Sequence, residues 1–302
     1  MTTQSITSIT DGQQKQYKRF VENAADKALS EVQLDKDGLQ KLIENGDEFQ
    51  SRIVTGIREL SVSNQFANEE AQSSYAYPKG YKPNRRLAIE LIIADFEKQC
   101  KKLDGYFNCG TRFNPDWIVR AHAVCPAWVE KFFAQFDWRK IASTYNKAVK
   151  KVLAMIASKR KFYNYCDDQL GPKYLRQHAK TAKMFQKLGY WQKGCDILAV
   201  PAQFGLRHKG RSVRRAREVF MANEFGLGAF AIGIMLLTHP EREVQWEQLH
   251  VDCAGDEFSP DADGDFSSAP IFDFHDGRVG FNACWFGDAD GDYGSASAFL
   301  SQ

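Results

Sequence analysis

The sequence predicts an α+β protein: a mainly helical N-terminal two-thirds with a small, largely antiparallel C-terminal sheet packed on it. Three observations carry this. Apolar residues recur at helical spacing up to about residue 188. After residue 224 the pattern changes to short apolar and aromatic runs punctuated by Asp-Gly turns. Composition, with 43% hydrophobic and 26% charged residues in 302, is that of an ordinary globular chain able to bury one large core or two modest ones.

Residues 1–16 (MTTQSITSITDGQQKQ) read as a flexible polar tail without the apolar stretch of a signal peptide. A helical region follows over 17–138. AADKALSEVQ belongs to one helix and KDGLQKLIENGDEFQSRIVTGIRELS to a second. The Ser-, Asn- and Pro-rich stretch at about 61–86 reads as a loop. Helical periodicity resumes at LAIELIIADFEKQCKKL, residues 87–103. Residues 139–224 form a basic helical region, with helices expected over 139–161 and 172–188 and one short strand at DILAV, residues 196–200. Residues 225–302 are acidic and β-rich. FGLGAFAIGIMLLTH is too short to span a bilayer and reads as a buried element. LHVDC is a strand, and IFDF–HDGR–VGFNACWF is a hairpin. The absence of a leader or spanning segment predicts a cytoplasmic protein.

Net charge is only +2, which conceals a strong asymmetry. Residues 139–217 carry 20 Lys/Arg against 3 Asp/Glu, whereas residues 218–302 carry 2 against 16. Such segregation speaks about partners rather than about fold. Between Pro172 and Leu188, Lys173, Arg176, Lys180, Lys183 and Lys187 are spaced 3, 4, 3, 4 and share one helix face. No acid in that stretch supplies i,i+4 pairing. Arg139, Lys140, Lys147, Lys150 and Lys151 repeat the design on the preceding helix. KRKFYNY then interleaves Lys159, Arg160 and Lys161 with three aromatics, a combination suited to phosphate contact and base stacking. The competing reading makes the aromatics core anchors and the charges their solvated rim.

GLRHKGRS, residues 205–212, lies between an apolar run and a helix and nearly matches a phosphate-binding loop, with Arg211 where the lysine belongs. Ser212 is a good N-cap. Arg211, Arg214, Arg215 and Arg217 crowd a helix N-terminus whose dipole disfavours them, so an anion is expected there. Phosphate held by Arg207, Lys209, Arg211, Ser212, Arg214 and Arg215 is the first expectation, and the chain's own acidic third is the rival.

DADGD occurs twice, placing Asp261, Asp263 and Asp265, then Asp288, Asp290 and Asp292, at alternate positions. That spacing can feed oxygens to calcium. The glycine stands in the fourth rather than the sixth place and Phe272 and Phe299 stand in the twelfth, which favours plain Asp-Gly turns. Seven scattered cysteines, none in C-x-x-C, read as reduced thiols rather than a disulfide framework or a zinc site.

ASKRKFYNY, LGPKYLRQHAKTAK, GCDILAVPAQFGLRHKGRSVRRAREVFMANEFGLGAF, LLTHPERE, VDCAGDEFSPDADGDF and GDYGSASAFL, with GDEFQSRI and SNQFANEE nearer the start, resemble an uncharacterised conserved family of bacterial proteins. The resemblance covers mainly residues 140–302. It implies one continuous body in a bacterial cytoplasm and brings over no activity, cofactor or site residue.

These observations point to a nucleic-acid-binding protein, RNA favoured, using its basic helix faces and an anion-binding loop–helix start. Two other classes stay open: a phosphate- or nucleotide-binding enzyme centred on 205–212, and a self-associating structural protein pairing basic and acidic regions between copies.

Overall fold

Residues 10–31, 35–61 and 64–301 are described by a computed structural model. Helical periodicity near the start produces α1 (Asp11–Glu31), α2 (Lys36–Glu44) and α3 (Gly46–Ser61), which belong to a first unit covering residues 1–61. Helix α1 begins inside the expected tail, whose residues 1–9 lie outside the described ones. The single helix expected after residue 35 is two. Asp35 opens α2 by accepting the Gly38 N–H at 2.6 Å, and Asn45 ends it. Neither α1 nor α2 buries a residue.

The second unit covers residues 62–302. Its first half runs α4 (Ile89–Phe107), α5 (Pro115–Val124), β1 (Lys131–Gln135), α6 (Tyr145–Lys159), β2 (Phe162–Asn164), β3 (Leu175–Gln177), α7 (Ala179–Trp191) and β4 (Leu198–Gln203). Then follow α8 (Val213–Val219), β5 (Glu224–Gly226), α9 (Ala229–Thr238), β6 (His250–Asp252), β7 (Asp256–Phe258), β8 (Ser268–His275), β9 (Arg278–Trp285), β10 (Tyr293–Ser295) and β11 (Ser297–Phe299).

The α+β class holds, but the strands are not gathered at the C-terminal end. One sheet is antiparallel, in the order β1-β4-β11-β5, and draws β1 from the region expected to be helical and β4 from the one short strand expected before residue 224. The other has seven strands and is mixed. It runs β10-β6-β8-β7-β3, with β9 beside β8 and β2 beside β9, and the β10–β6 and β2–β9 pairs are parallel. The expected hairpin is β8–β9, turning at Asp276-Gly277 with His275 opposite Arg278. The expected strands at DILAV and LHVDC are β4, shifted toward Gln203, and β6.

The uncharged stretch after Phe225 becomes α9, every residue of which is buried. It packs on α4, α6 and β1. Phe96, Val152, Val200, Phe225 and Phe281, from the 17–138, 139–224 and 225–302 segments alike, share one core cluster. Burial of such side chains, at about 1.5–3 kcal/mol each, is what holds the sheets and helices together. Among the described residues, no helix is long and apolar enough to cross a membrane.

The basic helices start later than the periodicity predicts. Asp137 and Thr144 each cap a backbone N–H, so Arg139 and Lys140 fall in a short 3-10 turn (138–140) and α6 begins at Tyr145. In the next segment Leu175–Gln177 pair with β7, and His178 caps α7 by accepting the Lys180 N–H at 3.3 Å. Lys173 and Arg176 are therefore off the helix, and the five-residue stripe reduces to Lys180, Lys183 and Lys187.

Candidate nucleic-acid interface

Two cationic regions of the sequence meet different fates. The first is the loop–helix start. Gly205 (φ +124°) and Gly210 (φ +74°) adopt conformations that favour glycine, and added Cβ atoms would overlap Gly294 O and Ala71 O respectively. The glycine pattern thus serves chain packing. Ser212 does cap α8, accepting the Arg215 N–H at 3.0 Å, but its hydroxyl donates to Glu69 Oε2 at 2.6 Å. Arg214 Nε bonds both Glu69 oxygens at 2.8 and 2.7 Å, and its guanidinium lies over the Phe66 and Trp285 rings. Arg215 bonds Glu70 Oε1 at 2.7 Å and Glu218 Oε2 at 2.9 Å, and Arg211 approaches Glu70 at 3.3 Å. Arg217 donates to the Ala254 and Asp256 carbonyls. The anion expected at this helix start is therefore supplied internally. It comes chiefly from Glu69 and Glu70 of the 64–86 loop, a source that the charge split between the middle and the end of the chain did not reveal. Arg214 and the Ser212 hydroxyl hold the Glu69 carboxyl below its usual range despite burial. Burial raises Glu70 as well, and Arg215 and Arg211 more than offset it.

The loop itself is equally committed. His208 is fully buried, with Nε2 2.8 Å from Glu224 Oε1 and Nδ1 3.2 Å from Arg211 Nη1. Arg211 can only donate, so Nδ1 accepts from it and the Nε2–H donates to Glu224; burial lowers the ring's pKa. Burial would raise Glu224, but His208, Arg207 and Ser297 hold it at about 2. Arg207 pairs with Glu224 at 3.0 Å, and Lys209 donates to Tyr75 O at 3.3 Å.

The second region is α7 and its surroundings. Lys183 and Lys187 are exposed and, among the described residues, their side chains make no ion pair or hydrogen bond; the same holds for the side chains of Lys150, Lys161, Lys173 and Lys193. Lys180 lies 5.8 Å from the Phe220 ring. Arg176 is paired with Glu257 at 2.7 Å and stacks on Phe266. Of the KRKFYNY run, Arg160 is used internally, holding the Arg242 and Glu243 carbonyls, while Lys159 sits over Tyr106 at 5.0 Å. Tyr163 and Tyr165 are 47% and 45% exposed, so these rings are surface groups rather than core anchors.

Between α7, the 137–140 turn and the start of α9 lies an open groove of about 470 Å³. Its walls include Trp138, Phe185, Phe230 and Tyr190, and its rim carries Arg139, Lys140 and Lys193. Tyr190 is 77% exposed. At 100° per residue it projects from α7 between Gln186, which faces the groove, and the Lys183–Lys187 edge. Lys140 also lines a shallower neighbouring hollow with Lys151 and Tyr106, so the basic rim continues toward α6. Rim charge is partly answered: Arg139 pairs with Asp137, and Lys140 lies 3.4 Å from Asp196. At the base of the groove Tyr145 Oη donates to the Asp256 carboxylate at 2.7 and 2.8 Å, and the Ala229 N–H binds the same group at 2.7 Å. Burial pushes the Asp256 carboxyl up to about 7 against these hydrogen bonds.

The calcium expectation finds no support in the geometry. Among the described residues no group of three or more His, Cys, Asp or Glu side chains is arranged to hold a metal ion. Asp263 Oδ1 instead accepts the Asp265 N–H at 2.9 Å and the Ser259 hydroxyl at 3.0 Å, and Asp290 Oδ1 accepts the Asp292 N–H at 3.0 Å. Each repeat therefore closes its own turn. Asp261 and Asp288 are exposed. The cysteines are free, and burial pushes Cys100, Cys125 and Cys166 up to about 12.

The residues that sequence reasoning missed are Glu69 and Glu70, Trp138, and Tyr190. Only Tyr190, three positions after Lys187 on one helix, carried a usable local signal. No protein-family model, curated protein or solved structure matches the chain.

Proposed function

We propose that the protein binds single-stranded nucleic acid, RNA in preference to DNA, along the α7 edge and the adjoining groove. The observation that carries this reading is the juxtaposition of Lys183 and Lys187, exposed and unpaired among the described residues, with an open aromatic groove edged by Tyr190 and Lys193. Free lysines supply phosphate contacts, and exposed rings supply sequence-tolerant stacking. The loop–helix start contributes rigidity rather than contact, because its arginines are already bonded to Glu69 and Glu70.

The test is binding of a short fluorescent single-stranded RNA across a salt series. Affinity should fall steeply with salt, with a log–log slope reduced by about 0.7 for each phosphate contact removed. Lys183→Glu with Lys187→Glu should weaken binding and flatten that slope. No binding of the wild-type protein at low salt refutes the reading.

A further inference from the structure

We infer that the groove is a nucleotide pocket that takes one unstacked base, with its phosphate directed to Lys193. The inference rests on the nucleic-acid reading and specifies its ligand. Three features converge. First, a space of about 470 Å³ lies within the 300–1,000 Å³ typical of small-ligand sites and is too confined for a duplex. Second, its faces are aromatic: Trp138, Phe185 and Tyr190 offer rings against which a base can stack. Trp138 is held edge-on to Tyr145 with ring centroids 6.2 Å apart, so its orientation is set before a ligand arrives.

Third, two lining amides are uncommitted. Gln192 spends both ends of its amide on Ala199, donating to its carbonyl at 3.1 Å and accepting its N–H at 2.8 Å. Gln177 and Gln186, by contrast, make no side-chain hydrogen bond among the described residues. An amide offers a donor and an acceptor side by side, the complement of a base edge. Lys193, exposed and without a side-chain partner among the described residues, is placed on the rim for the phosphate.

The experiment compares an eight-residue RNA with a ribose–phosphate oligomer of the same length lacking its bases, on wild type, Tyr190→Ala and Gln186→Ala. Tyr190 is largely exposed, so its removal spares the fold. The wild type should bind the RNA about tenfold more tightly than the abasic oligomer. Tyr190→Ala should abolish that difference while leaving the salt slope unchanged. Equal binding of both oligomers by the wild type overturns the pocket and leaves phosphate-driven binding standing. If neither oligomer binds, nucleoside monophosphates decide: thermal stabilisation lost in Tyr190→Ala and Gln186→Ala upholds the pocket for a free nucleotide, and no stabilisation overturns it.

Discussion

The helix start at 211–217 and the α7 edge read alike as amino-acid strings, each a run of cations with little acid nearby. In the folded protein they are opposites. At 211–217 four arginines meet two glutamates from more than 140 positions away, Glu218 and two backbone carbonyls. On α7, the Lys183 and Lys187 side chains make no ion pair or hydrogen bond among the described residues. The difference teaches that positive charge marks a binding surface only where the fold withholds a partner. It follows side-chain chemistry as well. Arginine's planar fork suits bidentate pairing with carboxylates inside a protein, and lysine's strongly hydrated ammonium suits the surface.

Several substitutions would break or sharpen this contrast. The largest effect is expected from Glu69→Gln with Glu70→Gln, which strands Arg214 beside the Phe66 and Trp285 rings and leaves Arg215 its pairing with Glu218. Loss of about 3 kcal/mol of unfolding free energy is expected in denaturant titration, because removing the buried Glu69 carboxylate leaves the Arg214 charge uncompensated. RNA affinity of the folded fraction should not rise; a rise would show that the glutamates mask a contact surface. Next, Gly210→Ala should cost about 2 kcal/mol by the same measurement, since its left-handed backbone and the approach of Ala71 O both resist a Cβ.

Lys183→Glu with Lys187→Glu should do the reverse: RNA affinity falls about tenfold near 0.1 M salt, with stability changed by less than about 0.5 kcal/mol. An unfolding loss as large as that of the glutamate pair would erase the contrast. The smallest effect is acid dependence. Glu69 and Glu70 have pKa values lowered on folding. Their stabilisation is complete above the ordinary glutamate range near about 4.3 and is lost as pH falls through the depressed values. The Gln variant should therefore show a shallower acid slope below about pH 4.5, while Lys183→Glu/Lys187→Glu should retain the wild-type slope.

Much of the fold was legible locally. Periodicity located α4, α6 and α7, the uncharged stretch after Phe225 marked a buried element that proves to be α9, and the Asp276-Gly277 turn located the β8–β9 hairpin. The three-residue strands β2, β3 and β5 were not legible, because so few residues display no alternation and pair only with partners distant in sequence. KFFAQ of β1 was hidden by its ends: Lys131 and Gln135 look solvent-facing, yet both are buried, with Lys131 3.5 Å from Asp95 and Gln135 bonded to Ala231 O. For the candidate site, the lysine edge was visible as a helical stripe, although its first two members left the helix for a turn and a strand. Trp138 and Tyr190 meet across the groove only because α7 and the 137–140 turn are brought together by the core.

The sequence by itself determined the α+β class, a buried apolar element after Phe225, the hairpin and the segregation of charge, since each depends on composition or spacing within a few turns or strands. Which of those charges are spent was decided by tertiary structure alone. Coulombic pairing acts between side chains within a few ångströms of one another, and only the closed chain brings Glu69 and Glu70 to the arginines while leaving Lys183 and Lys187 at the edge of an open groove.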